Sequence, residues 1–176
     1  MPYTGVMVLI RNEIEADKHS IEKVLLSAFD GPDEARAVDL LRKAGAVSFS
    51  LVAEMDGVIV VHILFSPKKF EPPQPGFSAL GLAPLAVMAE FQNEGIGSQL
   101  VSAGLQDCRG MGFSAVFVLG NPGYYARFGF CPASNYRLSC VYNAGDAFLG
   151  LELRPGSLAG FSGVVHYRPE FNLAVV

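Results

Sequence analysis

Between Leu85 and Leu100 the chain passes from the apolar run Leu85-Ala86-Val87-Met88, through Phe91-Gln92-Asn93-Glu94-Gly95-Ile96-Gly97, into residues with helical apolar spacing. Few folds accommodate that succession. A buried strand must stop, turn tightly and hand over to an amphipathic helix, which joins strand, loop and helix N-terminus in one unit. Glycine at 95 and 97 lets the backbone turn sharply and approach a ligand closely. The first helical turn adds N–H groups with no intrahelical partner and the positive end of the helix dipole, the combination that binds phosphate. A pyrophosphate is the expected guest, held by backbone amides from Gln92, Asn93, Glu94, Gly95, Ile96, Gly97 and Ser98 rather than by side chains.

The remaining punctuation predicts an α/β chain. Residues 6–11 read as a first strand, and residues 13–18 open a helix with Ile21, Val24, Leu25, Ala28 and Phe29 on one face. Gly31-Pro32 breaks it, and Asp33 is the expected N-cap of a second helix that Gly45 ends. Residues 49–53 and 58–63 are β-rich and separated by the hairpin signal Asp56-Gly57. Residues 70–76, with three prolines, read as a loop, and residues 77–87 as a strand in which Pro84 calls for a bulge or an unpaired N–H. The helix after Gly97 aligns Ile96, Leu100, Val101, Leu105 and Cys108, and residues 115–119 form the next buried strand. A short helix over 124–128 and strands near 148–153 and 163–167 follow. Residues 164–171 are expected to complete the sheet, with an exposed edge open to homodimerisation. No repeat, low-complexity tract or linker divides the chain, so one domain over residues 1–176 is expected.

A chain of 176 residues with 51% hydrophobic and 17% charged residues can bury a sizeable core and is not disordered. The net charge of -4, with no local cluster of lysine and arginine, argues against nucleic acid as a partner. Cys108, Cys131 and Cys140 have neither the even count of a disulfide framework nor the paired spacing of a metal site, so no metal is expected and a reducing compartment is. No leader pattern opens the sequence and no apolar run reaches membrane-spanning length, which predicts a cytoplasmic protein without a membrane partner.

The order of elements resembles the GCN5-related N-acetyltransferase (GNAT) superfamily over most of the chain. Gln92-x-x-Gly95-x-Gly97 matches that family's Arg/Gln-x-x-Gly-x-Gly/Ala signature, and Gly120-Asn121-Pro122-Gly123-Tyr124-Tyr125-Ala126-Arg127-Phe128-Gly129-Phe130 resembles its asparagine, tyrosine and Gly-Phe block. Together with Gly81-Leu82-Ala83-Pro84-Leu85-Ala86-Val87, these stretches look like a bacterial subgroup, the YhbS-like predicted acetyltransferases. The resemblance implies the GNAT acyl-CoA N-acyltransferase fold, a twisted mixed β-sheet flanked by helices. It also implies acetyl-CoA as cosubstrate and acetyl transfer by direct attack of a primary amine, belonging to a small molecule or a protein. The alternative is a non-catalytic acyl-CoA sensor or interaction module.

By the same resemblance, the strand at 85–87 splays from the strand at 115–119, and the pantetheine arm pairs with main-chain groups of Leu85 and Val87. An N–H near Val87 would then stabilise the oxyanion of the attacked thioester. Tyr125 matches the family's general acid, because a phenol of pKa near ~10 held close to sulfur can protonate a thiolate of pKa near ~8.5. Tyr124 is its adjacent alternative. Asn121 reads either as a cofactor contact or as a helix N-cap. No carboxylate lies in residues 80–87, so no general base stands out; His62 reads as a base acting directly or through water, or as a packing residue. Glu54 reads as a solvated strand end, Glu90 as loop support, and Cys108 and Cys131 as small core residues. Residues 29–35 and 70–76 are the expected walls of the acceptor site.

Overall fold

The computed structural model describes residues 7–174. In chain order its elements are β1 (Val8–Asn12), α1 (Lys18–Ala28), α2 (Asp33–Lys43), β2 (Phe49–Met55), β3 (Val58–Pro67), β4 (Lys69–Glu71), β5 (Ala79–Val87), α3 (Ile96–Gly110), β6 (Ala115–Leu119), α4 (Pro122–Tyr125), β7 (Cys131–Pro132), β8 (Leu138–Cys140), β9 (Phe148–Glu152), β10 (Gly163–His166) and α5 (Glu170–Leu173). Seven strands form one mixed sheet in the order β1-β2-β3-β5-β6-β9-β7, and β4, β10 and β8 form a second sheet. Asp56 and Gly57, both at positive φ, make the two-residue turn that sets β2 against β3 with Met55 opposite Val58. β5 and β6 run parallel, joined by the α3 crossover.

Strand alternation sends successive residues to opposite faces of the large sheet. Phe65 faces α3, where it joins Leu80, Leu82, Leu100 and Leu105, while its neighbour Leu64 faces α1 and α2 beside Ile21, Val24 and Leu41. α2 ends as read from sequence: Gly45 is left-handed and the Ala46 N–H reaches back to the Leu41 carbonyl at 2.9 Å.

Several expectations need correction. The first strand is shifted to Val8–Asn12, and Val6 lies outside the described residues. Residues 13–18 open the helix only at their end: Glu15–Asp17 form a 3-10 turn, and α1 starts at Lys18. Asp33 is not an N-cap, because Pro32 takes that position and Asp33 lies inside the first turn with Glu34, where both carboxylates oppose the positive end of the helix dipole. Residues 69–71, partly inside the expected loop, form β4 because β10 pairs with them. β10 does not complete the large sheet. It lies between β4 and β8, so both of its edges are already paired and it offers none to a second copy.

Lys68 links the two sheets. Its side chain crosses the face of Gly81, where an added Cβ would lie 2.0 Å from the lysine Cε, and its Nζ sits 2.9 Å from the centre of the Tyr167 ring and 5.5 Å from that of Phe171. The amine has no hydrogen-bond partner among the described residues. Burial pulls its pKa down to about 6, against a smaller opposing effect of Cys140. From about pH 6 to pH 10 the unfolded chain therefore holds a proton that the native protein lacks, and native stability rises with pH by up to about 1.4 kcal/mol per unit. Urea unfolding of Lys68→Met at several pH values in that window is expected to show a flatter dependence than the parent; parallel curves would refute this account of the amine.

Candidate active site

β5 is nine residues long, but only its first part is paired with β6, through Ala79 with Ala115, Leu80 with Val116 and Gly81 with Phe117. Beyond Gly81 the two strands separate. Each stays anchored on its outer side, β5 to β3 as far as Val87 and β6 to β9 as far as Leu119. A bulge at Ala83 and Pro84 gives β5 one extra residue against β3, so that Leu85 faces Ile63 while Leu82 faces Phe65. The Met88 N–H donates to the Val60 carbonyl at 2.9 Å. With Val87 opposite Val61 and Leu85 opposite Ile63, antiparallel alternation then turns the main-chain groups of Val87 and Leu85 away from β3, towards the open seam. The Gln92 side-chain amide takes one of them, the Val87 carbonyl, at 3.1 Å.

Below the seam, a loop leads into α3. Asn93 and Gly95 are both left-handed, with φ of 64° and 82°, and Gly95 is the helix N-cap. The first-turn N–H groups of Ile96, Gly97 and Ser98 have no carbonyl one turn earlier to pair with. Gly97 packs against β5 so closely that an added Cβ would lie 3.0 Å from Val87 Cγ2. This loop, with Leu85, Val87, Phe29 of the α1–α2 connection and Tyr124 and Arg127 beyond β6, lines a cavity of about 570 Å³. Gln92, Asn93, Gly95, Gly97 and Ser98 line it directly, whereas Glu94 and Ile96 do not, and the Ile96 side chain is buried in the core.

A second cavity of about 380 Å³ lies on the side covered by α2 and α5. Leu82, Ala83, Pro84 and Leu85 of β5 face Val118 and Leu119 of β6 across it, and Leu85 and Phe29 border both cavities. Tyr125 forms part of its wall. The Tyr125 ring packs on Gly120, where a Cβ would come within 2.5 Å of Cε2, and stands 5.5 Å from the Phe130 ring. Burial, with a smaller effect of Tyr124, raises the phenol's pKa above its usual 10, so it is protonated at neutral pH. Tyr124 faces the other cavity: its hydroxyl lies 3.2 Å from Ser98 Oγ, and the Arg127 guanidinium stacks 4.5 Å above its ring. The Asn121 carboxamide oxygen accepts the Tyr124 N–H at 3.2 Å, making Asn121 the N-cap of α4; it borders neither cavity.

His62 lies away from both cavities. It is fully buried between β2 and β5, with Nε2 3.4 Å from Glu13 Oε2, and burial lowers its pKa despite that carboxylate. Glu54 is not solvated but pairs with Arg11, which also holds Asp17 at 2.6 Å. Glu90 is exposed in the 3-10 turn after β5. Cys108 is fully buried, its thiol pushed up to about 12 by burial, while Cys131 is only half-buried, with Sγ 3.4 Å from the Tyr136 hydroxyl. Of the segments expected to flank the acceptor, the first supplies Phe29 and Glu34; Phe70 packs into the aromatic cluster under the second sheet instead. Sequence reading missed Arg127 and Phe171. The three-residue spacing of Tyr124 and Arg127 was a signal that they share a helical face, but nothing local announced Phe171.

The model of the Acetyltransferase (GNAT) family matches residues 18–130. The chain belongs to the GNAT acetyltransferase family. It is 35% identical over 167 residues to the uncharacterized N-acetyltransferase YhbS of Escherichia coli K12, a match that covers 94% of this chain and 99% of YhbS. The crystal structure of E. coli YhbS in complex with CoA superposes with a TM-score of 0.91 at 34% identity, covering 98% of this chain and 96% of that one. A GNAT acetyltransferase from Brucella melitensis in complex with acetyl-CoA superposes with a TM-score of 0.78, also at 34% identity, covering 95% and 99%.

The GNAT loop makes its own prediction. A side chain at Gly95 forces a left-handed L-residue, at about 1–2 kcal/mol, and a larger residue at Gly97 collides with Val87. Gly95→Ala and Gly97→Leu are each expected to fold, by circular dichroism, while weakening acetyl-CoA binding about tenfold or more in calorimetry. Unchanged affinity in both would remove the loop from the binding site.

Proposed function

We propose that this chain is an acetyl-CoA-dependent N-acetyltransferase, one catalytic domain in which the open seam between β5 and β6 holds the acyl donor and an amine attacks from the α2–α5 side. The observation that carries this reading is the pair of cavities meeting at Leu85 and Phe29, with a buried, protonated phenol in the wall of one. The amides from Gln92 to Ser98 hold the pyrophosphate, with Arg127 beside them as a cation for phosphate. The pantetheine arm pairs with the main chain of Leu85 and with the Val87 N–H. Asn121 serves the site by capping the helix that carries both tyrosines.

In the transfer, the lone pair of a neutral amine forms a C–N bond to the thioester carbonyl carbon and the C–S bond breaks, leaving the electron pair on sulfur. Tyr125 gives that sulfur its proton, solvent takes the proton shed by nitrogen, and Tyr125 is reprotonated from solvent. Tyr125 suits this role better than Tyr124, whose hydroxyl is turned to Ser98 at the loop. The reading as a non-catalytic sensor is not favoured, since a module that only binds acyl-CoA needs no second cavity beyond the seam. A cytoplasmic location is supported by the free thiols of Cys108, Cys131 and Cys140.

Calorimetry with acetyl-CoA, run beside thiol release over an amine panel, tests the activity; binding with amine-dependent release is expected, and absence of binding would sink it. Tyr125→Phe should keep acetyl-CoA affinity and lose about 100-fold or more in kcat. Because burial holds the phenol protonated, kcat/KM is expected to rise with deprotonation of the amine and then stay level to pH 10. A falling limb below pH 10 that Tyr125→Phe abolishes would contradict the assignment.

A further inference from the structure

The cavity beyond the seam has a chemical character of its own. Its walls are mostly apolar: Phe29 from the α1–α2 connection, Ala37 from α2, Pro84 and Leu85 from β5, Val118 from β6 and Phe171 from α5, with the Tyr125 phenol among them. At about 380 Å³ it sits at the small end of ligand cavities. Among the described residues, Glu34 is the one charged residue that lines it, and no lysine or arginine does. The Glu34 carboxylate is half-buried and makes no ion pair or hydrogen bond among the described residues, in contrast to Glu13, Glu54 and Glu170, each of which meets an arginine. An unpaired carboxylate on an apolar cavity is complementary to a cation that carries apolar surface.

Resting on the transferase reading above, we infer that this cavity is the acceptor pocket for a small primary amine borne on an apolar body, with Glu34 as the anchor of its ammonium before transfer. An amino acid is disfavoured, because its carboxylate would meet Glu34 with no cation among the described lining residues to answer it. A polyamine is disfavoured as well, because its further ammonium groups would be stripped of water against Phe29, Val118 and Phe171. A lysine side chain presented by a protein would need the surrounding backbone to enter between α2 and α5, which contact each other. Glu34 lies on the acceptor side, so its effect falls on the amine and not on acetyl-CoA.

Thiol release with acetyl-CoA and four acceptors tests this: 2-phenylethylamine, phenylalanine, spermidine and a lysine-containing peptide. The kcat/KM for 2-phenylethylamine is expected to exceed each of the others by about tenfold or more. Glu34→Gln should raise its KM by about tenfold or more with kcat and acetyl-CoA affinity kept, and Glu34→Asp should recover part of the loss. The inference is overturned if phenylalanine, spermidine or the peptide matches 2-phenylethylamine, if Glu34→Gln leaves KM unmoved, or if acetyl-CoA binds and 2-phenylethylamine releases no thiol. Failure of the wild-type protein to bind acetyl-CoA would overturn the transferase reading itself.

Discussion

Everything proposed for this protein depends on the hydrogen bonds that β5 and β6 do not make. Parallel neighbours joined by a helix ordinarily pair along their shared length, yet here pairing stops after Gly81 and Phe117. Pro84 has no N–H to give a neighbour, and the bulge at Ala83 and Pro84 redirects the strand just where separation begins. The seam does not collapse because each strand is held from its far side, by β3 and by β9. A row of main-chain groups that would otherwise be internal is thereby left for a ligand.

The elements around the seam divide its two ends. On one side α3 begins where β5 ends, so the left-handed residues Asn93 and Gly95 and the free first turn lie directly under Val87. On the other, α2 and α5 wall an apolar cavity. The segment after β6 serves both ends: α4 is too short to pack as an ordinary helix, but adjacent tyrosines point to different cavities, Tyr124 to the loop and Tyr125 to the seam. Gly120 makes that division workable by leaving room for the Tyr125 ring.

Features set by local chemistry were legible in the sequence. Asp56-Gly57 specified its turn, Gly45 its helix end, Pro84 its bulge, and the loop from Gln92 to Ser98 announced its backbone geometry through the placement of Gly95 and Gly97. Features set by distant partners were not legible. β4 has three residues and exists because β10 lies beside it, and β10 was assigned to the wrong sheet because its composition does not say which edge it meets. Phe171 reaches the acceptor cavity from near the C-terminus. Asp33 was misplaced by one position because Pro32, read only as a breaker, occupies the N-cap and puts Asp33 in the first turn. Glu34 fell within the segment expected to wall the acceptor, but nothing local singled it out; its significance lies in meeting no arginine among the described residues, which only the assembled fold reveals.

The central claim is that the unpaired stretch of β5 receives the acyl donor, and amide hydrogen exchange reads those groups directly. On addition of acetyl-CoA, the amides of Leu85 and Val87 and those of residues 93–98 should slow together, while β1 and β2, at the far edge of the sheet, stay unchanged. Protection confined to the loop, with Leu85 and Val87 exchanging as fast as before under saturating acetyl-CoA, would contradict the account.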